Sequence, residues 1–391
     1  MASCSREANL AHRDTLATPA REAKMATQSE QQILDGQTWE QFCDALKHAG
    51  QQVLRAEAPA DAFTRAEGYR YLSRLLRVAL EMHVEFADPD FPGFIIPSHE
   101  TVKIGADNPD NLYLSARIDG KNEYRVSGTR GSVAALNFAT KSGGYANKDG
   151  RMDGTGFIDA HAMQFAANGS FELVLSQQRQ PGNWLPMQAD SNQLLVRQTF
   201  LDRRLEKPAQ IRIERIGAAA QPAPLDPAHL QEQLQRAAGF VDNTARIFAD
   251  WAQGYRAQPN RLPPADQAVC QAAGGDPNIF YYHGYWQLED DQALIIDIAR
   301  IPGCDFWNLQ INNYWMESLD YRYHRIHVNK HSATVNADGS VRIVLARSDP
   351  GVPNWLETAG HRLGTMCMRW IGASEKVHPT TRVVKLADLQ Q

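Results

Sequence analysis

Apolar positions recur at helical spacing in only two parts of the chain. Thr38-Trp-Glu-Gln41 predicts a capping box, because a hydroxyl and an amide three residues apart can satisfy the orphan N–H groups of a helix start. Behind it, Phe42, Leu46, Val53 and Leu54 mark one helix up to Pro59. From about Ala60, Tyr69, Leu72, Leu75, Leu76, Ala79 and Leu80 share one face of a second helix, and Arg70, Ser73, Arg74 and Arg77 share the other. Asp88-Pro-Asp-Phe-Pro-Gly93 ends this part with residues that helices exclude. The other helical stretch opens at Asp226-Pro227, an N-cap followed by proline at the first position. Its stripe of Leu230, Leu234, Val241, Ala245 and Phe248 predicts a hairpin or bent pair, broken near Gly239 and running to about Tyr255.

Elsewhere the period is two. Leu112, Leu114, Ala116 and Ile118 alternate with Tyr113, Ser115 and Arg117, which predicts a strand. Further short strands are expected around Glu123–Ser127, Ala134–Ala139, Ala162–Ala166, Phe171–Leu175, Leu194–Phe200 and Gln210–Ile216. A second series follows at Tyr281–Leu288, Ala293–Arg300, Phe306–Ile311, Val341–Ala346 and Gly364–Trp370. Short strands separated by Gly, Asn and Asp predict antiparallel sandwiches of jelly-roll type. The expected fold is therefore α+β but mainly β. An N-terminal extension (1–36, disordered or unused) precedes a helical segment (37–92), a first β lobe (108–217), a helical connector (226–257) and a second β lobe (278–385).

The two lobes look related. Arg117-Ile-Asp-Gly120, Tyr124 and Leu136-Asn-Phe138 align without a gap to Arg300-Ile-Pro-Gly303, Trp307 and Leu319-Asp-Tyr321. Asn168-Gly-Ser and Asp338-Gly-Ser then open matching strands, and both copies continue to Pro-Gly, Asn-Trp-Leu and a last apolar strand. Asn-Gly and Asp-Gly suit turns that require positive φ. Trp184 and Trp355 are expected to close the ends of the lobes, with a wall for a flat ligand as the alternative.

Composition narrows the function classes. A formal charge of −5 gives no global attraction to nucleic acid, and no apolar run reaches the length of a membrane span. The five scattered cysteines, without CxxC spacing, argue against a disulfide framework or structural zinc and fit a reducing cytoplasm. The first 24 residues lack a secretory h-region, and Met25 reads as a second possible start.

Several motifs carry a resemblance: Ala66-Glu-Gly-Tyr-Arg-Tyr-Leu72, Asp107-Asn-Pro-Asp-Asn111, the Gly339-Ser340 turn, Asp349-Pro-Gly-Val-Pro-Asn-Trp-Leu356, and Arg369-Trp370. From about residue 38 to 375 the chain resembles the uncharacterised bacterial family called domain of unknown function 1214. The resemblance implies a β-sandwich protein, usually cytoplasmic, in bacteria that metabolise hydrophobic or aromatic compounds. It brings no catalytic set.

The candidates for chemistry come from the residues themselves. Tyr321–His331 is the densest titratable run, and its His324 and His327 are candidate acid/base groups. On a strand they point to opposite faces, and no HExxH-type pattern supplies a metal site, so neither a metal nor a cofactor is expected. Asp349 and His361 are twelve residues apart and could pair if the Pro-Gly turn folds back. Tyr285, Trp307, Tyr314 and Tyr323, with Trp355, make the second lobe aromatic enough to line a pocket for an apolar or ring-bearing molecule. Arg117 and Arg300 are strand-end arginines, either salt-bridged or clamping an anion. The absence of a Walker loop, a GxGxxG turn and a GxSxG elbow argues against nucleotide, Rossmann and α/β-hydrolase chemistry.

The sequence thus predicts a cofactor-independent enzyme acting on a small terpenoid, steroid or aromatic molecule. Side-chain acid/base chemistry (elimination, hydration, isomerisation or hydrolysis) would occur in a pocket between the lobes. The alternative is a non-catalytic ligand-, glycan- or protein-binding β-sandwich. Homo-oligomerisation stays open.

Overall fold

The computed structural model describes residues 27–389; the alternative start at Met25 lies outside them. The first lobe contains β1 (Asn111–Arg117), β2 (Tyr124–Thr129), β3 (Ala135–Gly143), β4 (Met152–Asp159), β5 (Ser170–Ser176), β6 (Trp184–Pro186), β7 (Gln193–Thr199) and β8 (Gln210–Arg215). The second contains β9 (Ile279–Gln287), β10 (Gln292–Ile298), β11 (Phe306–Asn312), β12 (His327–Asn329), β13 (Val341–Ala346), β14 (Trp355–Glu357), β15 (Leu363–Ile371) and β16 (Thr380–Lys385). Each lobe packs two four-stranded sheets. Their orders are β1-β7-β3-β4 with β6-β5-β2-β8, and β9-β15-β11-β12 with β14-β13-β10-β16. The second lobe repeats the first strand for strand, including the one parallel pair, β5 with β6 and β13 with β14.

This topology explains the Asn-Trp-Leu motif. Asn183 Nδ2 donates to the carbonyls of Glu172 and Gln164, and its Oδ1 accepts from the Gln164 N–H. Asn354 does the same with Arg342, Thr334 and the Thr334 N–H. Each asparagine thus pins the short parallel strand to its neighbour. The tryptophan that follows spends its indole N–H on that neighbour's last residue, Ser176 Oγ in one lobe and the Ala346 carbonyl in the other. The Asn168 and Asp338 side chains each cap the Ser N–H two residues on, and Gly169 and Gly339 take φ of 79° and 84°.

The gap-free alignment of Arg117 with Arg300 is corrected. Arg117 ends β1 whereas Arg300 follows β10, the counterpart of β2. The true correspondence starts earlier, at Asn108-Pro109 and Asp276-Pro277. In each, the N–H of the residue before proline donates to the hydroxyl of a tyrosine five residues on, Tyr113 or Tyr281. The expected strand at Ala162–Ala166 is instead β4 followed by a 3₁₀ turn over Ala160–Ala162.

Helices α1 (Gln28–Leu34), α2 (Gln37–Ala49), α3 (Ala62–Leu80), α4 (Pro227–Arg256) and α5 (Gln267–Ala272) complete the fold. The α1 helix falls inside the stretch expected to be unused. Its Thr27–Glu30 capping box is the real one, and Gln231 of α4 donates to its Gln32. Thr38 lies within α2, which starts from Gly36 in the left-handed region. Nor does Gly239 break α4, which runs unbroken for 30 residues. A Cβ at Gly239 would stand 3.1 Å from the Ala146 carbonyl, so its absence admits a loop against the helix. That close approach offsets the cost of about 1 kcal/mol for glycine in a helix.

Each lobe has its own core, built on Phe138, Leu173 and Val196 in the first and on Trp307, Ile343 and Trp370 in the second. A third core joins α2, α3 and α4 to the second lobe through Tyr281, Tyr285 and Trp315. The lobes are also tied by a reciprocal clamp. Arg197 of β7 donates to the Gly274 carbonyl, two residues before Pro277's partner Asp276, and Asn137 of β3 donates to Asp276 itself. Arg369 of β15 donates to the Ala106 carbonyl, and Asn308 of β11 donates to Asn108. In β3 and β11 these asparagines sit directly opposite the arginines of β7 and β15. Each lobe therefore holds the entry segment of the other.

Candidate functional site

The structure does not bring the sequence-predicted acid/base residues into one site. Asp349 is exposed and caps the Gly351 N–H, and no ion pair or hydrogen bond joins it to His361. The partner of His361 is Glu67 of α3. His361 Nδ1 faces the Thr358 carbonyl at 2.9 Å, and Nε2 lies 3.0 Å from Glu67 Oε1, off the line of a hydrogen bond. With acceptors at both nitrogens, the doubly protonated ring is favoured. Burial alone would lower the pKa of His361, but Glu67 and the neighbouring carbonyls outweigh it and raise it above 6.5.

His324 lines the same groove and pairs with Glu357 at 2.9 Å. His327 is elsewhere, 3.2 Å from Asp110. Burial, which would raise the Asp110 pKa, is outweighed by His327, Asn308 and Asn329, and the carboxyl is held low. Other charges of the His361 groove are also matched: Arg74 with Glu317, Asp320 with Arg322, and Lys103 with the Ser318 and Leu319 carbonyls. These groups are matched within the protein itself.

The aromatic candidates separate in the same way. Trp307 packs against Trp370 in the second core. Trp355 is committed to Ala346, Tyr323 is exposed beside Arg322, and Arg300 is exposed and paired with Glu375. Tyr285 and Tyr314 are buried in the helical core with unpartnered hydroxyls, but neither lines the cavity between the lobes. The aromatic residues of the second lobe mostly build its interior.

A different set of residues surrounds a cavity of about 220 Å³ between the lobes, roofed by α4. Strand periodicity supplies two of its walls. Tyr113, Ser115 and Arg117 alternate along β1, and Ile279, Tyr281 and His283 alternate along the equivalent β9. Helical spacing supplies the roof, because Arg236, Phe240, Phe248 and Trp251 lie on one face of α4. Gly105, at φ 58°, lets the chain pass under Phe248, where a Cβ would collide with the ring. The helix α3 continues into a π-helical turn, Glu81–Glu85, that carries Met82 and His83 to the cavity mouth. Such turns cost regular hydrogen bonding and recur at functional sites.

Two histidines face this cavity, and both differ from those flagged by the sequence. His283 lies between the parallel rings of Tyr255 and Tyr281, at 5.3 and 6.1 Å, with Trp251 edge-on. Its Nδ1 has no partner, and its Nε2 is 3.9 Å from Cys367 Sγ. Burial, helped by Arg369, pushes its pKa down to about 3. His83 packs against Phe240 and also has an unpartnered nitrogen, Nε2. Burial, then Arg117 and Arg236, hold it down at about 4. Both rings are therefore neutral at pH 7 and can accept a proton or hydrogen bond. Cys270, also in the wall, is pushed up by burial to about 12 and is no thiolate nucleophile.

The family model described as "Protein of unknown function (DUF1214)" matches residues 114–199 and 288–375, one copy in each lobe. An uncharacterised protein from Burkholderia cenocepacia, whose crystal structure is known, is 63% identical, with a TM-score of 0.90 over 92% of this chain and 99% of that one. The chain belongs to the DUF1214 family. The VPA0106 protein from Vibrio parahaemolyticus is 13% identical, with a TM-score of 0.47 over 82% of this chain and 98% of that one. No curated protein matches the sequence. Within this DUF1214 chain, no helix among the described residues is long and apolar enough to cross a membrane.

Proposed function

We propose that this DUF1214 protein is a cytoplasmic enzyme that takes a small, largely apolar molecule into the interlobe cavity and acts on it by side-chain acid/base chemistry. The observation that carries the proposal is the pairing of an aromatic enclosure with unsatisfied polar groups. Nε2 of His83 and Nδ1 of His283 are buried without partners, whereas His324, His327 and His361 each lie beside a carboxylate. A buried polar group left unpaired costs about 1–3 kcal/mol, so its retention favours a use in binding or catalysis. The neutral rings are suited to accept a proton from a bound molecule, the step that elimination and isomerisation share.

One observation favours a non-catalytic reading. Imidazoles with pKa values near 3 and 4 are weak bases, and a binding protein would need them only as hydrogen-bond acceptors. A thermal-shift screen of aromatic and terpenoid acids, alcohols and ketones, followed by mass spectrometry of the hits, separates the two. The enzyme reading expects hits that raise the melting temperature and are converted, with His83→Gln or His283→Gln retaining binding but losing turnover. Stable binding without product, in wild type and variants alike, would establish the binding reading instead.

A further inference from the structure

We infer that the cavity's ligand carries a single anionic group, a carboxylate, held at the mouth between Arg117 and Arg236 with its apolar body inside. The inference rests on the cavity being the ligand site and adds the class of ligand. Met82, His83, Arg117, Asn192 and Arg236 line both the cavity and the outer depression next to it, so they form the passage between the two. Arg117 comes from the end of β1 and Arg236 from α4.

Most arginines of this chain that approach the lobes are matched. Arg197, Arg215, Arg300, Arg342 and Arg369 all reach a carboxylate, a carbonyl or an amide oxygen. The guanidinium groups of Arg117 and Arg236 have no ion pair or hydrogen bond among the described residues, although each has the other's charge nearby. Burial and then Arg236 work against the charged form of Arg117, and Asp119, the nearby carboxylate, does not fully offset them. Two cations left facing one another around an unpartnered imidazole are unfavourable in the empty protein. A carboxylate supplies the missing charge and can accept from both guanidinium groups, the geometry in which arginine binds such groups best.

The surroundings select the charge and shape of the ligand. Asp119, Asp190 and Glu232 outnumber Lys121 in the outer depression, so a polyphosphate or nucleotide extending outward would meet mainly like charge. Inward, the passage opens onto Phe240, Phe248 and Trp251, and the arginines further in, Arg197 and Arg369, are already engaged by Gly274 and Asp276 and by Gln310 and Ala106. A monoanion with an aromatic or branched apolar body fits both sides.

Calorimetric titration with 4-phenylbutyrate and its neutral amide, 4-phenylbutanamide, tests this on the full chain. The acid should bind at least about tenfold tighter than the amide, the usual scale of a charge-assisted pair. Arg236→Gln, at an exposed position, and Arg117→Gln should each weaken the acid by about tenfold and change the amide by less than about threefold. Equal affinity for acid and amide, or equal loss of both in the variants, would overturn the carboxylate inference and leave the cavity reading intact. No saturable binding of either compound would overturn both.

Discussion

The two lobes share every strand, the Asn-Trp-Leu closure and the arginine clamp, yet they contribute different chemistry to the space between them. On the equivalent strands β1 and β9, the first lobe presents Ser115 and Arg117 and the second presents Tyr281 and His283. Duplication fixed the frame, and divergence at its inward face made one wall cationic and the other aromatic. What the copies share therefore reads as structure. The candidate chemistry lies where they differ and where polar groups lack partners.

The clamp gives the largest test of this comparison. Arg369 donates to Gln310 and the Ala106 carbonyl from full burial, whereas Arg197 keeps one guanidinium nitrogen without a hydrogen bond. Arg369→Ala should cost about 3–5 kcal/mol, the scale of breaking a buried charged network, and Arg197→Ala visibly less. Urea unfolding measures both, and equal losses would mean the clamp is as symmetric in energy as in topology.

The closing motif offers a smaller contrast. Asn354 is 1% exposed, has φ of 55° and makes three hydrogen bonds; Asn183 makes the equivalent three from a half-buried position. Asn354→Ala is expected to cost about 2 kcal/mol and Asn183→Ala about 1 kcal/mol, from the lost bonds and the strain of alanine at positive φ. A larger loss at Asn183 would reverse the ranking of the lobes.

His361 lies in the second lobe only and ties it to α3. Its folded pKa is raised, so the stability it contributes is complete below its unfolded value of 6.5 and is lost as pH rises through the folded value. The advantage of wild type over His361→Gln should thus shrink as pH increases above 6.5, in urea midpoints taken across that range. A constant difference would show that Glu67 does not hold an imidazolium. The smallest effect belongs to the cavity mouth: Arg117→Gln should stabilise the empty protein by a few tenths of a kcal/mol, because it relieves repulsion from Arg236. A lower urea midpoint for this variant would mean Arg117 supports the fold.

Much of the fold was legible because its signals are local. The alternation in β1, the Asn-Gly and Asp-Gly turns and the repeated Asn-Trp-Leu all appear within a few residues. The candidate site was less legible because it depends on which polar face is buried. Tyr113, Ser115 and Arg117 look like the solvent side of a half-buried strand, yet Ser115 is buried. Segments distant in sequence enclose them: α4, the 143–147 loop and the 270–275 stretch. Conversely, the His324–His331 cluster was conspicuous because its residues are adjacent in sequence, and its partners Glu357, Asp110 and Asp202 are distant in sequence. One available signal went unused: Asn108-Pro109 to Tyr113 and Asp276-Pro277 to Tyr281 share their spacing, and that pair would have set His283 opposite Ser115.

The central claim is that the space between the duplicated lobes is the ligand site, and a crystal structure with 4-phenylbutyrate tests it most directly. The ring is expected against Phe240, Phe248 and Trp251, with the carboxylate between Arg117 and Arg236. A structure with the probe bound in the His324–His361 groove and the interlobe cavity unfilled would contradict it.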